Sequence, residues 1–91
     1  MAHAYEEPKG KVVINAGAKA TLRADKAKSL LPVGVVDVVG KFLKGDIIRI
    51  VDEQGKEIGL GLARYGNEKA VEVVGKKNQP PIIHYDHLYL H

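Results

Sequence analysis

The sequence predicts a mainly β domain: a small, partly open pseudo-barrel of five to six short strands with two short helices between them. Three observations carry that expectation. A chain of 91 residues supports one modest core, because a domain near this size buries roughly 60 to 65% of the surface its unfolded chain exposes. The apolar residues fall mostly in short β-branched runs bounded by turn signals, as strands do. One run, Ile58-Gly59-Leu60-Gly61-Leu62, alternates glycine with aliphatics, which permits strong bending or close approach of another backbone and suits a closed barrel better than a flat sheet.

Taken in order, Lys11-Val12-Val13-Ile14 reads as a strand running into a turn at Asn15-Ala16-Gly17. A two-turn helix follows over 17–24, with Ala18 and Leu22 on one face and Lys19 and Arg23 on another. Ser29-Leu30-Leu31-Pro32-Val33-Gly34 mixes apolar anchors with chain breakers and reads as a packed connection into the strand Val35 to Val39, which Gly40 ends. Lys44-Gly45-Asp46 signals a turn, and Ile47 to Val51 after it is nearly all apolar, as a central strand covered on both faces would be.

Asp52-Glu53-Gln54-Gly55 then reads as a hairpin leading into the glycine-alternating strand. Asn67 is placed to cap a second short helix over 68–74, with Gly75 as its stop. A polar loop from Lys76 to Pro81 precedes two last strands, Ile82 to His84 and Leu88 to Leu90, joined by a turn at Tyr85-Asp86. Residues 10–91 are expected to form one domain, with residues 1–9 a disordered or expression-derived start.

Composition narrows the chemistry. Without cysteine there is no disulfide, thiolate metal site or thiol nucleophile, and a reducing cytoplasm fits. No run reaches the roughly 18 to 20 apolar residues of a membrane span, so no membrane partner is expected. Ser29 is the one serine and falls in the packed connection, which leaves no nucleophilic triad. Gly59-Leu60-Gly61 lies inside a strand and opens no helix, so it is no phosphate loop. His84, Asp86, His87 and His91 are the one metal-like group, and their strand-and-turn setting favours hydrogen bonds within a turn over metal ligation.

Charge is the feature with a functional edge. The net charge is +3, but between Lys9 and Lys28 the cations Lys9, Lys11, Lys19, Arg23, Lys26 and Lys28 face only Asp25. Lys19, Arg23, Lys26 and Lys28, on or just after the first helix, are the candidate RNA-binding residues, since clustered cations attract phosphate backbones. An ordinary solvated helix face accounts for the same charges, and no aromatic is interleaved with them as a stacking platform would need.

With the turns laid out, the string resembles a known family. Gly17-Ala18 at a helix start, Ser29-Leu30-Leu31-Pro32-Val33-Gly34, Gly45-Asp46, Gly61 in the alternating strand and the closing His84-Tyr85-Asp86 are similar to the PUA domain that ends bacterial glutamate 5-kinases. The match covers about residues 10 to 90. The resemblance implies a PUA-like pseudo-barrel in which Gly17, Ala18, Pro32, Gly34, Gly45, Asp46, Gly61, His84 and Asp86 are structural, and a non-catalytic accessory or regulatory role.

It also implies that catalysis belongs to a preceding amino-acid-kinase domain using ATP and Mg²⁺ to phosphorylate L-glutamate, the first step of proline synthesis. This chain itself holds no cofactor, catalytic residue or metal, and its partners would be that kinase domain and sister subunits. The alternative is an RNA-binding PUA module, freestanding or from a tRNA- or rRNA-modifying enzyme. In RNA-binding members of this fold the first helix and the following loop border the RNA groove.

Overall fold

A computed structural model describes residues 7–25 and 28–91. Five strands form one sheet: β1 (Gly10–Ile14), β2 (Val35–Gly40), β3 (Ile47–Val51), β4 (Glu57–Leu62) and β5 (Leu88–Leu90), in the order β2-β1-β3-β4-β5. Two helices join them, α1 (Ala16–Ala24) and α2 (Asn67–Val73), with 3₁₀ turns at Pro32–Gly34 and Tyr85–His87. β1 runs parallel to β3, and every other pairing is antiparallel. The strand predicted to be central, β3, lies in the middle of the sheet, but Arg49 on it is exposed, so it is sealed on one face only.

Register explains which face is sealed, because directly paired residues point to the same side of a sheet. Val38, Val12, Ile50, Gly59 and Leu90 pair in one row across all five strands. Val12 and Ile50 in it are wholly buried, and Val38 and Leu90 pack against the same core. The next row along the strands, Val39, Lys11, Arg49, Leu60 and Tyr89, points the other way by the two-residue period. Apolar burial at roughly 25 cal/mol per Å² makes the inner rows the main source of stability.

The glycines of β4 work as the alternation suggested. A Cβ on Gly61 would stand 2.6 Å from Ile83 Cγ2, and one on Gly59 would stand 2.5 Å from the Tyr89 carbonyl oxygen. Their absent side chains leave room for the last segment, in which Ile82 and Ile83 are fully buried. The predicted strand over 82–84 is only a single bridge, Leu30 to Ile83, because the chain turns into the 3₁₀ turn at Tyr85.

α2 also differs at its start. It begins at Asn67 with Gly66 in the capping position, and the Asn67 side chain accepts from the Phe42 amide at 3.0 Å instead of capping its own helix. Gly75 ends the helical region with φ 73°, the left-handed geometry that favours glycine. Tyr65 pins the loop after it, donating to the Pro80 carbonyl at 2.8 Å. At the β2 edge the Asp37 carboxylate accepts from the Val38 amide at 2.9 Å, and the β1–β2 register shifts beside it.

Candidate functional site

The candidate site is the seam between α1 and the segment 29–34. Asn15 starts α1, its Oδ1 accepting from the Ala18 amide at 2.8 Å, which satisfies one of the free donors at a helix start. Leu22 turns inward and is buried, while Arg23 stays exposed. Pro32, buried, opens the 3₁₀ turn, and Gly34 follows because a Cβ there would meet Ala18 Cβ at 2.5 Å. Between the two walls runs a groove of about 370 Å³ lined by Ala18, Thr21, Leu22, Leu30, Leu31 and Val33 among others. Leu31 and Val33 are exposed at its rim.

The predicted basic residues differ in their surroundings. Lys19 pairs with Asp52, its Nζ 2.8 Å from Oδ2. Asp52 is 5% exposed and also accepts from the Gln54 and Lys56 amides at 3.0 and 2.9 Å. The Lys19 bond, then the Lys56 amide, hold its carboxyl down from 3.8 to about 2, since donors to the charged form favour ionisation. Lys19 therefore ties α1 to the β3–β4 hairpin. Arg23 and Lys28 are exposed, and Lys26 lies outside the described residues.

An aromatic does stand beside one of the exposed cations, Lys28. A second groove, of about 270 Å³, is lined by Leu22, Asp25, Lys28, Leu88, Tyr89 and Leu90, and Tyr89 is 61% exposed. Sequence reasoning missed this pair because sixty positions separate Lys28 from Tyr89, and only the return of β5 beside α1 joins them. The nearest signal in the sequence is a tyrosine, Tyr89, within the predicted last strand.

The remaining motif residues lie mostly in turns. Gly45 has φ 91°, and Asp46 Oδ2 accepts from the Leu43 amide at 2.8 Å. His84 Nδ1 accepts from the Asp86 amide at 3.3 Å, Ser29 Oγ accepts from the Tyr85 amide at 3.0 Å, and the His91 ring goes instead to Glu57 at 2.6 Å. Gly17 is exposed in the first turn of α1. Among the described residues no helix is long and apolar enough to cross a membrane.

A pseudo-barrel sealed by two helices, with a grooved helix-and-turn seam, defines the class. By structure the chain is similar to a PUA domain of Aeropyrum pernix solved as a tartrate complex, at a TM-score of 0.74 and 26% identity over 84% of this chain and 41% of that one. It is also similar to a chain of an H/ACA ribonucleoprotein bound to substrate RNA, at a TM-score of 0.72 and 18% identity, covering 91% of this chain and 24% of that one. The latter shows the fold alone.

The PUA domain profile matches residues 10–84, and the chain belongs to the PUA domain family. Among curated proteins it is similar to glutamate 5-kinase of Chlorobaculum tepidum, 53% identical over 83 residues, 90% of this chain and 23% of the relative. Glutamate 5-kinase of Bacteroides thetaiotaomicron is 41% identical over 90 residues, 99% of this chain and 25% of the relative. The chain thus spans about a quarter of the length of these relatives.

Proposed function

We propose that this chain is the accessory domain of a glutamate 5-kinase, acting on a catalytic domain that carries out ATP-dependent phosphorylation of L-glutamate. The carrying observation is the 53% identity with the Chlorobaculum tepidum enzyme across nearly the whole chain. The site residues support a role by contact: Gly45, Asp46, His84 and Asp86 lie in turns, Gly34 and Gly61 in close packing, and the buried carboxylate of Asp52 is held by Lys19 and two amides.

Deleting residues 10–91 from a full-length parent tests this reading. Glutamate-dependent phosphotransfer persists in the truncated enzyme, with a changed KM, effector response or assembly state. Identical behaviour on all three counts, measured by hydroxamate formation and light scattering, would refute an accessory role.

A second reading, RNA binding, is favoured by one observation: Lys28 and exposed Tyr89 border one groove, the cation-and-aromatic pairing that single strands use. A neighbour of the same fold is solved with RNA bound. Fluorescence anisotropy with generic RNA should give weak, strongly salt-dependent affinity, typical of a few phosphate contacts. Joint Arg23→Ala and Lys28→Ala substitution lowers it, and Lys19→Ala does not, because Lys19 is engaged by Asp52. Unchanged affinity in the double variant would remove the α1 surface from consideration.

A further inference from the structure

We propose that α1 is a latched flap: it lifts from the domain as one unit, the bond from Lys19 to Asp52 is its latch, and lifting joins the two grooves on its flanks into one cleft. This motion belongs to the 91-residue chain alone and depends on neither functional reading. Little apolar surface holds α1 down. Of its nine residues, all described, only Leu22 is buried, and Ala18 packs against the same core while half-buried. The seven-residue α2 buries both Ala70 and Val73.

The backbone permits the movement as well. Every strand shares its ladder with a neighbour, whereas the bonds of a helix close within the helix itself. α1 therefore leaves the sheet with its own ladder whole. An element with one buried anchor stands at the low end of the range of local stabilities, far below a strand whose rows of side chains are sealed. Both ends of the flap stay tied. The Asn15 amide donates to the Gly34 carbonyl at 2.9 Å, and beyond the far end the Leu30 amide donates to the Ile83 carbonyl, also at 2.9 Å.

The single anchor is also the wall between the grooves. Leu22 lines both the groove shared with the segment 29–34 and the groove shared with β5. Once it withdraws, Leu30 on one side and Leu88 and Leu90 on the other face one continuous opening. Lys19 is placed to prevent this, since its Nζ reaches Asp52 Oδ2 at 2.8 Å on the hairpin between β3 and β4. Release strands no ion. Asp52 keeps the Gln54 and Lys56 amides on Oδ1, and the ammonium returns to water. Leaving a buried charge alone is the usual obstacle to parting such a pair, and the two amides lower it.

Amide hydrogen exchange of the 91-residue chain, followed by NMR, tests the flap. The amides of residues 20–24 should exchange at one common rate, at least about tenfold faster than those of β3, and unaffected by low guanidinium because the opening exposes little surface. Lys19→Ala should speed α1 about tenfold more, as loss of a hydrogen bond to a charged group does, and leave β3 unchanged. Asp52→Asn retains an acceptor for the two amides and should act on α1 in the same direction. The double variant should add nothing at α1 beyond Lys19→Ala, since both substitutions remove one bond.

Amides of α1 as slow as those of β3 overturn the proposal. So does equal acceleration of α1 and β3 by Lys19→Ala, which makes the bond part of the whole fold, or a rate graded along α1, which is fraying of a helix end. The absence of cysteine gives the joined cleft its own readout. Leu22→Cys places one thiol on the wall, and its maleimide labelling should speed by the same factor when Lys19→Ala is added. Labelling that stays unchanged while α1 exchanges faster means that the wall never clears, and it sinks the cleft.

Discussion

Two seams in this domain are built with the same device and end differently. At one, Gly61 lets Ile83 lie against β4, and a Cβ would close to 2.6 Å. At the other, Gly34 lets the 3₁₀ turn lie against α1, and a Cβ would close to 2.5 Å. The first is roofed by residues with no exposure at all, Ile82 and Ile83. The second opens onto solvent as the groove rimmed by Leu31 and Val33. Close approach therefore does not decide whether a seam is sealed; what matters is whether the chain returns to cover it.

The largest effect should come from breaking the covered seam. Gly61→Val forces a branched side chain into Ile83 with no free direction to yield, and overpacking of this severity costs about 3 kcal/mol or more. Chemical denaturation of the 91-residue chain should show it largely unfolded or with a sharply lowered midpoint. Gly34→Ala adds one methyl against Ala18, where the open groove lets the turn move outward, so the loss is about 1 to 2 kcal/mol. A Gly34→Ala variant as damaged as Gly61→Val would erase the distinction.

Smaller again is Asn15→Ala, which removes the cap at the groove's edge and costs about 1 kcal/mol by denaturant midpoint. The gentlest probe is pH. Asp52 is depressed from 3.8 to about 2 in the folded chain, so its contribution is present above about pH 4 and is lost as pH falls toward 2. Thermal scans of Lys19→Ala should show a flatter decline across that window than the parent chain. An identical decline would mean that the Lys19 bond does not set the acid limb.

Much of this was legible in the sequence where information is local. The turn at Gly45-Asp46, the helix after Asn15 and the glycine-alternating β4 each carry their signal within a few residues. What escaped depends on distant partners. Asn67 has the chemistry of a cap, but the Phe42 amide, 25 positions earlier, takes its side chain. Lys19 reads as one more cation on a solvated face until Asp52, 33 positions later, is folded beside it. The strand predicted at 82–84 has the right residues but forms only an isolated bridge, Ile83 to Leu30, beside a single bond from the Arg64 amide to the Ile82 carbonyl.

The β2 edge has a bearing on assembly. An edge strand rich in valine is the kind of surface on which further strands nucleate, and a protein present in several copies would pay for that in fibres. Asp37 stands in the way. Its carboxylate occupies the Val38 amide, the register irregularity beside it bends the ladder, and an incoming strand would have to bury a charge at the middle of the would-be template. Replacing that one side chain by an uncharged β-branched residue would turn a blunt margin into a growing end.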